Sequence, residues 1–262
     1  MKSRRARSLL LTATAWLLLV GAWWLFAAHE QRPGTIWATP GQILGSLVSL
    51  RSAYVANAVV TLKEAALGFI LAVSVAVVLA LAGERYKKIA ATTQRAAVAI
   101  YSLPIIALAP ALVLWTGPGL TTKVVIAGLG AFFPVLINLV QALRTTPAGA
   151  LELMQVGGAG SWQVFRRVEL PYALPILFVS FMTAAPAAIT GAMLAEWVGA
   201  NAGLGIQLLN SMNEFDIPQL YATLVVASAL SVAAWLLFRV LGRLFFPWQT
   251  SVGAGHHGRE GA

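Results

Sequence analysis

The sequence has no cysteine, three histidines and few charged side chains, which make up 10% of its 262 residues. The lack of cysteine excludes disulfides, thiolate metal sites and cysteine nucleophiles. His29 is isolated, and His256 and His257 lie in a polar tail where we expect them to be solvated. A buried histidine metal site is therefore not expected.

The sequence also lacks the common catalytic patterns. No glycine is followed by lysine, so the phosphate-cradling loop GxxxxGK[ST] is absent. His29-Glu30 is not completed to HExxH, and Gly158 to Ser161, which resembles half of a nucleophile elbow, has no histidine nearby to activate the serine. We expect no catalysis and no cofactor bound by this chain, so that a partner would hydrolyse any ATP.

Apolar residues dominate the composition. They make up 59% of the chain, against roughly 45–50% in soluble proteins, and the mean hydropathy is +0.79. Six runs approach or exceed the ~20 residues that cross a bilayer. They are Leu9–Ala28, Ala58–Ala82, Ala96–Trp115, Val124–Leu143, Ala173–Trp197 and Leu220–Phe245. The fold class predicted is an all-α integral membrane protein with about six transmembrane helices.

The basic residues predict how the chain is oriented. Fourteen of its lysines and arginines fall on the side of the two termini, and four lie opposite, namely Arg32, Arg51, Lys63 and Lys123. By the positive-inside rule both termini are cytoplasmic, in a bacterial inner membrane. The net charge of +9 is spread between apolar runs rather than along a stripe. We therefore expect no nucleic-acid partner, and we expect contact with membrane lipid.

Three regions follow from this layout. Residues 1–56 hold the N-terminal tail, the first span and an outer segment, in which Thr39-Pro40 starts a short interfacial helix. Residues 57–248 form a core of five spans with a cytoplasmic loop at 144–171, and residues 249–262 are a disordered tail.

The cytoplasmic loop is the most informative segment. Its apolar spacing predicts two short amphipathic helices broken at the glycines from Gly157 to Gly160, since glycine tolerates the positive φ of a tight reversal. Met154, Trp162 and Phe165 present apolar side chains beside Arg166 and Arg167. This mixture is typical of a helix that docks in a groove of a soluble partner. The alternative is a loop resting on lipid headgroups.

The same loop resembles that of binding-protein-dependent permeases of the ATP-binding cassette superfamily. Their pattern is EAA, three residues, Gly, nine residues, Ile, one residue and Leu-Pro. Here Glu152-Leu153-Met154, Gly158, Val168 and Leu170-Pro171 stand at that spacing, with both alanines and the isoleucine replaced. Further segments resemble the nitrate, sulfonate, taurine and thiamine-precursor branch: Ser102-Leu103-Pro104, Gly130 to Pro134, and Ala195-Glu196 followed by Gly203-Leu204-Gly205.

The resemblance implies a type I importer permease with a cytoplasmic coupling helix-turn-helix. Two permease copies, here identical, would form a pathway; two ATPase subunits would bind ATP-Mg and the loops; a periplasmic solute-binding protein would deliver a sulfonate, nitrate, taurine or thiamine-precursor-like solute. The coupling residues implied are Glu152, Leu153, Met154, Gly158, Trp162, Phe165, Arg166, Val168, Leu170 and Pro171.

Polar residues within the spans are the candidates for the pathway, because polar groups are costly against lipid. They are Asn57, Thr61, Glu64, Asn138, Gln141, Ser180, Thr183, Thr190 and Glu196. Ordinary hydrogen bonding between helices is the alternative for each. Glu64 could simply pair with Lys63 or Lys123, and water at the outer interface could solvate both glutamates.

Rival functions stay open at this point. A stand-alone secondary transporter would show inverted repeats and charges near the bilayer midplane, and neither is evident in the sequence. An intramembrane enzyme would need paired catalytic groups in adjacent spans. A membrane scaffold would copurify with no ATPase.

Overall fold

The computed structural model describes residues 2–30, 35–85, 92, 95, 97–99, 101–102, 104–144 and 146–247, and these form helices and connecting segments with no strand. The helices are α1 (Lys2–His29), α2 (Pro40–Ser49), α3 (Arg51–Arg85), α4 (Ile105–Thr116), α5 (Leu120–Arg144), α6 (Ala148–Val156), α7 (Ser161–Val164), α8 (Leu170–Glu196), α9 (Leu204–Asn213) and α10 (Ile217–Phe245). A π-helical turn, Phe165–Glu169, joins α7 to α8.

Within these ranges, four helical segments are long and apolar enough to cross a membrane: Arg51–Gly83, Leu120–Arg144, Ser161–Glu196 and Ile217–Phe245. They contain the second, fourth, fifth and sixth predicted runs, except that Trp197 lies one residue past α8. The first predicted run lies within α1, a single helix of 28 residues. The prediction of an all-α membrane protein is thus confirmed.

The third predicted run is not one helix, which corrects the sequence interpretation. Ser102 lies in a turn and Pro104 has an extended backbone (φ −69°, ψ 106°) before α4 begins at Ile105. A Leu-Pro pair in a sequence favours such a break, because proline disfavours helical φ and ψ in the residue before it. Hydropathy alone does not reveal such a break, because all of the flanking residues are apolar.

The centre of the molecule is α5, which packs between α3 and α8. Glycines allow these helices to come very close. A Cβ on Gly68 of α3 would lie 2.5 Å from Ala127 Cβ, and a Cβ on Gly191 of α8 would lie 2.9 Å from Ala127 Cα. Membrane helices associate through van der Waals contact, which small residues at their crossing points allow, because lipid tails provide no hydrophobic driving force for association.

Helix α10 is attached to this centre by aromatic packing. The rings of Phe69, Phe181 and Phe238, from α3, α8 and α10, lie in mutual contact with centroids 5.2–5.3 Å apart. At the other end of α10, Ala222 packs with Ile43 of α2 and Tyr54 of α3. The last span, α10, therefore packs against other helices near both of its ends.

The predicted outer helix is present as α2. It begins after Thr39, whose hydroxyl accepts a hydrogen bond from the Gln42 N–H while the Gln42 side chain accepts one from the Thr39 N–H. This reciprocal capping box satisfies two of the amide groups that a helix start leaves unpaired. The predicted disordered tail, 249–262, lies outside the described residues, as do His256 and His257.

Candidate functional site

The loop at 144–171 reverses direction at Gly158. This residue has φ +72°, and the Ala159 N–H donates to the Met154 carbonyl at 3.0 Å, which is the Schellman arrangement that closes a helix C-terminus. The predicted break at the glycines is therefore present. The second predicted short helix, however, is not separate: α7, the π turn and α8 run on without interruption into the span.

The loop turns three apolar side chains outward. Leu153, Val156 and Trp162 are 74%, 88% and 69% exposed. Their neighbours anchor the loop, because Val164 is buried and Phe165 packs against the central core. Trp162 also stacks on Phe165, with ring centroids 5.6 Å apart. The exposed surface is therefore held on a rigid support.

The remaining predicted coupling residues of the loop are either exposed on this surface or half-buried beneath it. Glu152, Gly158, Arg166, Arg167 and Pro171 are exposed, whereas Met154, Val168 and Leu170 are half-buried. Val156 was not among the predicted coupling residues. Its position three residues after Leu153, on the same face of the first loop helix, was the signal available.

A second site is a buried polar cluster formed by α3, the end of α8 and the start of α9. From α3, the Asn57 amide donates to Gln207 Oε1 at 2.9 Å and accepts from the Gly203 N–H at 2.8 Å. The Thr61 hydroxyl accepts from the Leu204 N–H at 2.8 Å. The side chains of α3 thus satisfy amide groups at the start of α9, which its own helix leaves unpaired.

Glu196 closes this cluster from α8. Its side chain is fully buried; Oε1 accepts from the Thr61 hydroxyl at 2.6 Å and Oε2 accepts from the Gly205 N–H at 2.5 Å. A Cβ on Gly203, whose φ is +126°, would overlap the Glu196 carboxyl group. The Gly203-Leu204-Gly205 segment is therefore required by the approach of its backbone to this carboxyl group.

Glu64 lies beside the cluster and pairs with Lys123 of α5, with Glu64 Oε1 2.8 Å from Lys123 Nζ. Of the two partners considered from the sequence, the structure selects Lys123. Both Glu64 and Glu196 are at most 3% exposed, so within the chain they are shielded from water rather than solvated by it.

The other pathway candidates lie apart from the cluster. On α8, Ser180 is buried and donates to the Leu177 carbonyl, while Thr183 and Thr190 are exposed and donate to carbonyls of their own helix. The expectation that all three point inward holds only for Ser180 within this chain. On α5, Asn138 is half-buried and Gln141 exposed.

The arrangement can connect helices, but it shows no catalytic or metal-binding geometry. Among the described residues no three of His, Cys, Asp and Glu come together as metal ligands. Gln207 was missed from the sequence, although it is a polar residue early in an otherwise apolar turn of α9. The hydrogen bonds of Asn57, Thr61 and Glu196 are the interhelical kind that stood as the alternative to solute contact.

The loop and the spans around the polar cluster resemble those of known proteins. A family model described as the binding-protein-dependent transport system inner membrane component matches residues 68–250. The chain is 29% identical over 240 residues to the formylaminopyrimidine transport permease protein of Halalkalibacterium halodurans, covering 91% of this chain and 96% of that protein. It is 24% identical to a putative aliphatic sulfonates transport permease protein of Bacillus subtilis, covering 73% and 70%.

It is also 38% identical over 150 residues to the riboflavin transport system permease protein of Chloroflexus aurantiacus, where the match covers 57% of this chain and only 56% of the relative's length. Among solved structures, an amino acid ABC transporter has a TM-score of 0.62 at 17% identity, covering 76% of this chain and 95% of that one. The methionine ABC transporter MetNI has a TM-score of 0.57 at 23% identity, covering 70% and 90%.

These structural likenesses establish the fold of a type I importer permease, which agrees with the helices described above. The family match begins within α3 and covers the later spans and the loop at 144–171 that suggested the resemblance. The chain therefore belongs to the family of inner membrane components of binding-protein-dependent transport systems, the permeases of ATP-binding cassette importers.

Proposed function

We propose that this chain is the permease subunit through which an ATP-driven importer moves a small solute from a periplasmic binding protein into the cytoplasm. ATP-Mg is bound by separate ATPase subunits. The observation that carries the proposal is the loop of α6 and α7, an exposed apolar surface of Leu153, Val156 and Trp162 fixed by the Gly158 turn and anchored by buried Val164. Exposed apolar patches mark contact sites for a protein or a membrane, and Arg166 and Arg167 beside this one favour a groove on a soluble partner.

The solute we propose is small and of the sulfonate, nitrate, taurine or thiamine-precursor kind. Support comes from the relatives, which are named for a formylaminopyrimidine and for aliphatic sulfonates. The riboflavin relative widens the set of compounds to be screened. Ligand screening by thermal shift of the binding protein that copurifies with the permease identifies the solute directly.

The pathway we propose lies between two identical permease copies. Thr183 and Thr190 support this, because both are exposed on α8 of the single chain and both are polar. Asn57, Thr61, Glu64 and Glu196 are engaged with other helices in this conformation. Asn57, Thr61 and Glu196 would reach solute only if the contacts of α9 with α3 open during transport, and Glu64 only if it separates from Lys123 of α5.

Substitution of Gly158 tests the coupling role. The change Gly158→Val places a branched side chain at φ +72°, a conformation that costs an L-residue roughly 1–2 kcal/mol and more when β-branched. We expect membrane insertion to be normal while ATPase copurification and ATP-dependent uptake in proteoliposomes fall by about tenfold, since ~1.4 kcal/mol corresponds to tenfold in binding.

Gly149→Val is the matched control. Gly149 lies in α6 with nothing within 4 Å of the added Cβ and without a positive φ, so we expect uptake close to that of the unchanged chain. Normal coupling in the Gly158 variant would refute the assignment of the loop. Uptake by the permease alone, driven by an ion gradient without ATP, would favour a secondary transporter instead.

A further inference from the structure

We infer that the groove between α8 and α10, at the end of the molecule nearest the cytoplasmic loop, binds an anionic phospholipid. The groove has a volume of about 250 Å³ and is lined by Pro175, Phe178, Val179, Met182, Phe238, Arg239, Gly242, Arg243 and Phe246. This site is independent of the proposed transport function.

The walls of the groove are suited to an acyl chain. Apart from the two arginines and Gly242, every lining residue is apolar. Gly242 contributes no side chain to the floor, where an added Cβ would lie 3.8 Å from Phe178 Cβ and 4.0 Å from the ring atom Cδ1. Phe178 also contacts Phe246, with centroids 5.2 Å apart, and both rings line the groove.

The two arginines provide a charged rim at the depth of the headgroups. Arg239 and Arg243 are one helical turn apart on the same face of α10, within the last seven residues before its end at Phe245. Pro175 on the facing helix is five residues from the start of α8. Both helices therefore present this end of the groove near the membrane surface, with apolar walls extending inward.

Neither arginine is neutralised within the described part of the chain. The one ion pair found there joins Lys123 to Glu64. Arg239 instead lies over the ring of Trp235, 4.8 Å from its centroid, which orients the guanidinium group without cancelling its charge. Two guanidinium groups can bind a phosphodiester through paired N–H donors, and basic pockets between spans on the cytoplasmic side are typical of anionic lipid sites.

Charge complementarity thus selects one occupant. A zwitterionic lipid would fill the apolar walls but leave both positive charges of the rim unbalanced. Phosphatidylglycerol would balance one of these charges and cardiolipin both, while their acyl chains fill the walls. A second copy of this chain would have to bring acidic groups to the same rim.

The test uses the absence of native cysteine. A bimane label on Val240→Cys, an exposed position beside Arg239 that does not line the groove, is read in vesicles of mixed phosphatidylglycerol and phosphatidylcholine. In paired samples one lipid or the other carries bromine, which quenches the label on contact. We expect brominated phosphatidylglycerol to quench more than its share of the mixture, and added inorganic phosphate not to reverse this.

Arg239→Gln and Arg243→Gln should each reduce the preference about fivefold, and together on the order of 30-fold, as expected for the loss of one and two basic residues near an anionic surface. Arg→Lys at both positions should retain most of it. A label on Ile70→Cys, exposed on α3, should show no preference in any variant, which controls for general enrichment of phosphatidylglycerol around the protein. An unchanged emission maximum of this label in the double Gln variant would show that the variant is folded.

Equal quenching by the two lipids at Val240→Cys, or a preference unchanged in the double Gln variant, would overturn the inference. So would efficient disulfide cross-linking of two Val240→Cys chains in the vesicles, because it would place a second copy against α10 beside the groove, where the lipid is expected.

Discussion

Thr61 and Thr223 are two fully buried threonines whose hydroxyl groups make different contacts. Thr61 joins α3 to Glu196 of α8 and to the Leu204 N–H of α9, whereas Thr223 donates only to the Gln219 carbonyl of its own helix. Valine has nearly the shape of threonine. Replacing each threonine by valine therefore separates the contribution of an interhelical hydrogen bond to stability from the contribution of burying the side chain.

We expect Thr61→Val to lower the free energy of unfolding by about 3 kcal/mol, because the Glu196 carboxyl loses a donor and the Leu204 N–H is left unpaired. Thr223→Val should cost under about 1 kcal/mol, since the Gln219 carbonyl keeps its helical hydrogen bond. Denaturant unfolding in mild detergent, followed by circular dichroism, measures both. Similar losses in the two variants would show that the polar cluster adds little.

At the scale of helices, the contact between α5 and α8 depends on the absence of a side chain at Gly191. A Cβ there would lie 2.9 Å from Ala127 Cα and 3.0 Å from the Ile126 carbonyl oxygen. These are backbone atoms, which cannot move aside as the end of a side chain can. The two helices would have to separate, and their other contacts would loosen.

Gly191→Ala should therefore reduce the free energy of unfolding by about 2 kcal/mol, in the range found for overpacked cores. Gly21→Ala is the matched control in α1, where the added Cβ has nothing within 4 Å; it should be neutral or raise stability by up to about 1 kcal/mol through helix propensity. The same unfolding assay applies. A neutral result at Gly191 would mean that the helices lie farther apart than described.

The join between the loop and α8 shows why one element was mispredicted. The predicted loop ends at Pro171, whereas the helix continues through this residue, although proline lacks an N–H and its ring clashes with the carbonyl four residues earlier. The π turn Phe165–Glu169 lies directly before it and widens the backbone where that clash would occur. The chain therefore passes from loop to span as one continuous rod.

For the whole molecule, the distribution of basic residues predicts that α2 and α6 lie on opposite sides of the membrane. Gly45 of α2 and Gly149 of α6 are exposed and have open space around an added Cβ. In a chain without cysteine, Gly45→Cys and Gly149→Cys each introduce one unique thiol. A membrane-impermeant maleimide added to intact spheroplasts should label Gly45→Cys and leave Gly149→Cys unlabelled until the cells are lysed.

Labelling of both thiols from outside, or of Gly149→Cys alone, would contradict the orientation derived from the positive-inside rule. It would also place the loop on the wrong side for a cytoplasmic ATPase. The proposed function and the predicted topology therefore depend on the same result.

Composition and local spacing were sufficient for the membrane class, for most of the spans, for the capped start of α2 and for the turn at Gly158. Each of these depends on neighbours along the chain: a run of apolar residues, a Thr39-Pro40 start, or a glycine that can adopt positive φ. The family resemblance rested on the same local spacing of the loop from Glu152 to Pro171.

The meeting of Asn57 and Thr61 with Glu196 and Gln207 depends on the fold instead. The bonded pairs Asn57–Gln207 and Thr61–Glu196 are 150 and 135 positions apart in the sequence. A polar residue in a span has the same local pattern whether it faces a solute, lipid or another helix. The close approach allowed by Gly68 and Gly191, and the groove at Arg239 and Arg243, arise in the same way. They exist only once the helices pack together.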